Sequence, residues 1–549
     1  MTDLVVRTEP LGGSPLARAA IAGELSNWYA ATPRTPSEWR ARATSVRGEF
    51  VGRPWYNALA PALAATGEAA TRLQRVAAGN GIVVTTGQQP GLFGGPMYTW
   101  SKAISALAMA DEIERVTGIP TAPVFWAATD DADYAEASWT AFAVPGGAVR
   151  VSMPATQPVG APMSAMPLGD LSAALEALAQ ACGATADDRP LAAARAAYRA
   201  EATVGDAYVS LLRAFLEPLG IAVLDASHDA VVNAARPFAL RALERADAIA
   251  AALHDRDAEI QQAGFTPQVA EVAGLSLVFE RGSPGGEKRR IGIAEARSAA
   301  VAASSAILSP NVLLRPVIER AMLPTISYLA GPGEIAYFAQ VSAVAKALDL
   351  AWPLVLPRWS TTVIEPNVLR ILHRFDLEPA DLSDPHAAES RLARGAVPTA
   401  IAEALRALQD DVERRTAALA DAAGAAPLDV PREVFEGTRR TIQHRLHRLE
   451  RRIVAAVKRR EADTMRQLGT ARGALYPLGI RQERALNAIP LLARHGSAMV
   501  SRMIALAGDH ARSFVGSGVA PEPLPADESP RMADARVGAR SETTRVADA

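Results

Sequence analysis

The run from Ile82 to Ala127 constrains the fold of this chain more than any other segment. It opens with IVVTT (Ile82–Thr86), a β-branched run that suits a strand buried on both faces. GQQPGLFGG follows and gathers Gly87, Gly91, Gly94 and Gly95 into one turn. Pro96 is suited to open the next helix, because the first helical turn has no use for its missing N–H. Residues 97–117 carry helical periodicity up to Gly118, and TAPVFWA (Thr121–Ala127) reads as a second strand, closed by Asp130, Asp131 and Asp133. Strand, turn, helix and strand in that order make a βαβ unit.

The pattern recurs. Ile221–Leu224 reads as a strand leading to Asp225, and TISYLA (Thr325–Ala330) enters a second glycine turn, GPGE at Gly331–Glu334, before a helical run to Leu348. Pro353–Leu356 leads in the same way to Pro357 and Arg358. Strands alternating with helices predict an α/β fold with a mostly parallel sheet and helices on both faces. The first 80 residues read as helical. Residues 160–310 read as an insertion of Ala-rich helix with a hairpin, Leu275–Arg281 and Arg289–Ile293, around GSPGGEK.

From about residue 390 the period changes. Ile401, Leu405, Leu408, Val412 and Leu419 follow a heptad-like spacing that Arg415 interrupts, and Ile442, Leu446, Leu449, Ile453 and Ala456 repeat it after a break at Gly424–Pro431. Two such helices predict an antiparallel coiled-coil hairpin. The expected organisation is a core over 1–385 interrupted at about 160–310, a helical coiled coil over 386–515, and a disordered tail over 516–549, where Pro, Ala and charge replace aliphatic residues.

At 549 residues, 49% hydrophobic and 21% charged, the chain has apolar surface for more than one structural unit. Its net charge of -2 argues against a duplex-binding protein. Arg445, Arg448, Arg451 and Arg452 occupy outer heptad positions, where solvated charge is ordinary. The single cysteine, Cys182, allows neither an intrachain disulfide nor a cysteine metal cluster, which fits a reducing compartment. The first residues lack the pattern of a secretory signal, and no apolar run reaches the roughly 18 residues of a membrane span. A cytoplasmic protein with no nucleic-acid or membrane partner is expected.

Candidate chemistry gathers at strand ends, where open α/β sheets bind ligands. The first glycine turn is either a ligand loop or a turn tightened for packing. Gln88 and Gln89 favour the former, since amides both donate and accept. Asp130, Asp131 and Asp133 suit an ammonium, a sugar hydroxyl or Mg²⁺ beside phosphates, or else they form a solvated acidic turn. Gly331, Gly333 and Glu334 follow a strand in the same way, while Asn311, Arg315 and Arg358 offer an amide and two guanidinium groups for carboxylate or phosphate, or else form surface salt bridges. His444 and His447 have no supporting ligands, so no metal site is expected.

TTGQQPGLFGGPMYTWSK (Thr85–Lys102) resembles the bacillithiol-biosynthesis cysteine-adding enzymes, whose pattern is close to TGQQxGLxTGPLYTxxK. The resemblance continues through TGIPTAPVFWAATDDADYAE (Thr117–Glu136), SPNVLLRPVIERAMLPTISYLAGPGEIAYF (Ser309–Phe338) and LPRWSTTVIE (Leu356–Glu365), with a weaker echo at GIRQERALN (Gly479–Asn487). It implies a Rossmann-like core related to class I aminoacyl-tRNA synthetases, a C-terminal coiled coil and a homodimer. It also implies a ligase that joins the cysteine carboxyl to the amine of glucosaminyl-malate, coupled to ATP (with ADP or AMP as product), with Mg²⁺ as a candidate accompanying ion.

In that scheme Gln88, Gln89, Asp130, Asp131 and Asp133 are the catalytic candidates. Gly87, Gly91, Gly94, Tyr98, Asn311, Arg315, Gly331, Gly333, Glu334 and Arg358 line the substrate site. Two positions depart from the family: Ala132 stands within an acidic motif that commonly reads Glu-Asp-His-Asp, and Ser101 where many members have histidine. A related ligase with another acceptor, or a catalytically silent nucleotide-binding relative using its coiled coil for interaction, are the alternatives.

Overall fold

The computed structural model describes residues 4–154, 160–184, 187–302, 306–384, 386–426 and 430–517, so the expected tail beyond Ser517 lies outside the described residues. Contacts divide the chain into two units. One takes Val6–Ala141, Arg150–Val363 and the chain from Glu483 onward; the other takes Phe142–Val149 and Ile364–Gln482, with the first residues of the chain.

The first unit is built on a five-stranded sheet. In chain order the strands are β1 (Ile82–Gln88), β2 (Thr121–Ala127) and β3 (Ala222–Asp225), a separate trio of β4 (Leu275–Arg281), β5 (Arg289–Gly292) and β6 (Ile307–Pro310), then β7 (Thr325–Ala330) and β8 (Val355–Pro357). The main sheet runs β8-β7-β1-β2-β3, and every pairing in it is parallel. All of β2 and β7 is buried, which is why these segments read as continuous apolar runs rather than alternating ones.

Connections follow from local chemistry. Helix α1 (Tyr98–Thr117) carries the chain from β1 to β2 and stops where Gly118 takes φ 72°, a left-handed conformation open to glycine at little cost. Its buried residues lie all round the helix, as the central position between layers requires. After β3 come α2 (Asp229–Glu244) and α3 (Ala246–Gln262); α4 (Arg315–Met322) and α5 (Pro332–Ala347) flank β7. The chain moves from β1 outward to β2 and β3, then returns to place β7 on the other side of β1. The reversal of strand order between β1 and β7 is the switch point, and the crevice beyond their carboxyl ends is where this topology binds ligands.

Two findings modify the expected organisation. The 160–310 stretch, read as an insertion, supplies edge strand β3 to the main sheet. The hairpin of β4 and β5 gains a third antiparallel strand, β6, in the order β5-β4-β6. The helical reading of the first 80 residues omits a short strand at Val5–Thr8.

The second unit holds the long helices α6 (Thr399–Ala425) and α7 (Arg432–Arg460). Glu413 of α6 pairs with Arg439 of α7 at 2.5 Å and accepts from Gln443 at 2.6 Å. No residue of α6 is buried, and its expected seam stays half open, with Leu419 59% exposed. Further along, Gly469 and Gly473 of the helix Ala462–Leu475 lie directly against the backbone of Gly146 and Gly147. Among the described residues no helix is long and apolar enough to cross a membrane.

Helix α8 (Ile489–Ser517) returns to the sheet-bearing unit.

Candidate functional site

At the switch point a lysine joins the two glycine turns. Lys102, on the second turn of α1, is 3% exposed, and its Nζ donates to Glu334 Oε2 at 2.5 Å, Gly87 O at 2.7 Å and Gln88 Oε1 at 2.9 Å. Glu334 also accepts from the Gly331 N–H and from Tyr328 Oη, both at 2.7 Å. Tyr328 in turn accepts from Arg315 Nη2 at 3.2 Å, and Arg315 Nη1 reaches Glu319 at 2.7 Å. Burial pushes the Glu334 carboxyl up, but the Lys102 charge and the three hydrogen bonds override it and hold the group below the usual carboxylate range. Burial pushes the Lys102 ammonium down, against the pull of Glu334. Three acceptors around one Nζ are the pattern of a charged ammonium.

The first glycine turn is closed by its own protein. Tyr198 Oη accepts from the Gly94 N–H and donates to Gly91 O, each at 3.1 Å. Asn487 Nδ2 donates to Phe93 O at 2.8 Å and to Gly95 O at 3.2 Å. A Cβ at Gly87 would stand 2.8 Å from Trp126 O, and one at Gly91 2.7 Å from Gly95 Cα. Gly91 and Gly94 are therefore buried in a tightly packed turn, whereas Gln88, Gln89 and Tyr98 are only half-buried. The second turn is capped by Glu334 on the Gly331 N–H. A Cβ at Gly333 would meet nothing within 4 Å.

The acidic motif past β2 is a hydrogen-bonded turn. Asp131 Oδ1 accepts from the N–H groups of Ala132 at 2.6 Å and Asp133 at 3.0 Å, and Asp133 caps a short helix through the Glu136 N–H at 3.1 Å. Gln89 donates to the Glu136 carboxylate. Lys288 Nζ donates to Asp130 O at 2.7 Å and lies 3.7 Å from the Asp130 carboxylate. Burial, then the Asp130 charge, raises the Asp131 carboxyl above its ordinary value. Glu136 is raised as well, chiefly by burial. A pocket beyond β2 and β3 brings Asp130 together with Arg315, Arg281 and Ser309. Among the described residues no group of three His, Cys, Asp or Glu stands ready to hold a metal ion.

Two further candidates spend their polar groups within the protein, although Arg358 also lies over the Tyr98 ring, 5.8 Å from its centroid. Asn311 uses its amide oxygen on the N–H groups of Leu313 and Leu314, shaping the turn into α4. Arg358, 2% exposed, gives both ends of its fork to Glu483 at 2.8 and 2.9 Å. Ser360 Oγ adds a third bond to the same carboxylate at 2.9 Å. Ser101 is wholly buried within α1, its hydroxyl directed at Met97 O.

Sequence reasoning overlooked Lys102, Tyr328, Lys288, Glu483 and Asn487 as site-building residues. Lys102 closes the most specific motif, and Glu483 and Asn487 lie in GIRQERALN, so the signal was present in the blocks themselves.

Fold and site together define a Rossmann-like protein whose polar cluster occupies the switch point of a parallel sheet. The chain belongs to the bacillithiol biosynthesis BshC family: the model of the N-terminal Rossmann-like domain matches residues 20–279 and 293–359, and that of the C-terminal coiled-coil domain matches 361–515. Relatives named "Putative cysteine ligase BshC" include one from Solibacter usitatus, 31% identical over 81% of this chain and 86% of its own length. One from Koribacter versatilis is 32% identical over 81% and 85%, and one from Symbiobacterium thermophilum 28% over 88% and 94%.

Proposed function

We propose that this protein is a cysteine ligase that joins the carboxyl of L-cysteine to the amine of glucosaminyl-malate, with ATP driving amide formation. The observation that carries the reading is the Lys102–Glu334 cluster, which ties both family glycine turns together at the switch point and leaves Gln88 and Tyr98 at its open edge. Forming an amide from a free carboxylate is uphill in water, so a nucleotide supplies the driving force. Gly94 and Gly331 already donate within the protein, and no step is assigned to ATP there.

The chain's own residues account for binding and proton transfer. The acceptor amine must lose a proton before it attacks, and the raised carboxyl of Asp131 is the group in this motif suited to take it. Gln89 and Glu136 beside it orient sugar hydroxyls. Ala132 in place of the family's histidine favours, as a second reading, a related ligase with another amine acceptor. The half-open seam of α6 supports a homodimer, which sedimentation would test. The test of function is mass-spectrometric analysis of purified protein with ATP, Mg²⁺, cysteine and glucosaminyl-malate, each omitted in turn. Product requiring all the organic components supports the reading. Product with other amines but not glucosaminyl-malate selects the second, and no product with any amine overturns both.

A further inference from the structure

Gln88 leaves β1 with its amide held between two partners. Lys102 Nζ carries only donors, so the amide atom facing it at 2.9 Å must be the carbonyl Oε1. Nε2 then points the other way and gives one N–H to Tyr98 Oη at 3.3 Å. Because Oη accepts there, the Tyr98 hydroxyl hydrogen turns away from Gln88. Burial pushes the Tyr98 phenol far above its ordinary value, so that hydrogen stays in place at neutral pH. The remaining Gln88 N–H and the Tyr98 O–H are therefore both donors at half-buried residues on the crevice. All three donors of Lys102 are committed within the protein, which keeps it from reaching a ligand itself.

We propose that Lys102 is a positioning residue that fixes the Gln88 amide with its N–H outward, so that Gln88 Nε2 and Tyr98 Oη form a two-donor subsite for a substrate carboxylate. The subsite rests on the reading of this crevice as the ligase site. The same chemistry fits the carboxylate of cysteine or a malyl carboxylate of the acceptor. Glu334 completes the device by holding Lys102 charged, since a neutral amine could accept from the amide and release its orientation.

The test is calorimetric titration of the full chain with two ligand pairs that differ in carboxylates: cysteine against cysteamine, and glucosaminyl-malate against methyl glucosaminide. Gln88→Glu keeps the contact to Lys102 but turns an acceptor outward, and Tyr98→Phe removes the second donor. A hydrogen bond to a charged group is worth enough to change affinity by about tenfold or more. The expected result is a loss of at least about tenfold for the carboxylate-bearing member of one pair in Gln88→Glu, with a smaller loss in Tyr98→Phe. Affinity for the carboxylate-free member should be unchanged. The pair that responds identifies the source. Lys102→Met should reduce the same preference, and the two milder variants keep the test valid if it fails to fold. Wild-type binding with both preferences intact in Gln88→Glu and Tyr98→Phe would overturn the subsite alone. Absence of wild-type binding to cysteine and to glucosaminyl-malate would overturn the ligase reading with it.

Discussion

Replacing Glu483 by alanine should destabilise the sheet-bearing unit by about 4–6 kcal/mol, because it strands a buried cation. Arg358 and Glu483 are 2% and 4% exposed, and their fork-to-fork contacts measure 2.8 and 2.9 Å. Breaking a buried pair from one side costs roughly 3–5 kcal/mol, since the remaining charge keeps its desolvation penalty and loses its partner. Ser360 Oγ and the Thr361 N–H lose an acceptor as well, adding on the order of 1 kcal/mol. Arg358→Met should cost a similar amount by stranding the carboxylate. The double variant Arg358→Met/Glu483→Leu removes both charges and should cost well under the sum, with a coupling energy of at least about 2 kcal/mol. Urea unfolding followed by tryptophan fluorescence measures all four proteins. Single variants within about 1 kcal/mol of wild type, as for an exposed pair, would refute the reasoning, and so would strict additivity.

Other consequences are as direct. Burial pushes the Glu483 carboxyl up, but Arg358 overrides it and holds the folded-state pKa below the ordinary value. Its stabilisation is thus complete above the unfolded glutamate value of about 4.3 and is lost as pH falls through the lower folded value. An acid unfolding limb below about pH 4 that flattens in Glu483→Gln would bear this out; an unchanged limb would not. Asn487→Ala should cost about 2–3 kcal/mol and loosen the first glycine turn, since several buried carbonyls lose their donor; faster amide exchange at residues 92–95 is the readout. Gly473→Ala places a Cβ 1.9 Å from Gly147 O, so the second unit should lose at least about 1–3 kcal/mol, visible as an earlier helical melting step by circular dichroism.

What the sequence revealed was local. The β1 strand, the stop of α1 at Gly118, β2, β7 and the β4–β5 hairpin all follow from apolar runs and glycine positions that act within a few residues. Strand β6 was missed because Ile307–Pro310 is short and gains its ladder only against β4. Edge strand β3 shows the same limit: its four residues are recognisable, but only pairing with β2 makes 160–310 part of the core.

The site followed the same rule. Gln88, Gly331 and Glu334 announce themselves at strand ends, yet the residue that joins them is a lysine inside a helix. Its function depends on the return of β7 beside β1. Arg358 reads in sequence as either a ligand group or a surface salt bridge, and the carboxylate that pairs with it lies 125 residues further on. Glycines 91 and 94 show why composition leaves two readings: a ligand loop and a packed turn need the same residues, and Tyr198 and Asn487, remote in sequence, decide how the turn's groups are used.

The most direct test of the account is the fate of the cysteine carboxyl oxygens. Purified protein is given cysteine labelled with ¹⁸O at both carboxyl positions, together with glucosaminyl-malate, ATP and Mg²⁺, and product and nucleotide are read by mass spectrometry. The account predicts a ligated product that keeps one ¹⁸O in its amide carbonyl, with the other carried into AMP or phosphate. No ligated product, or a product that keeps both labels and so was not joined through the carboxyl, would contradict it.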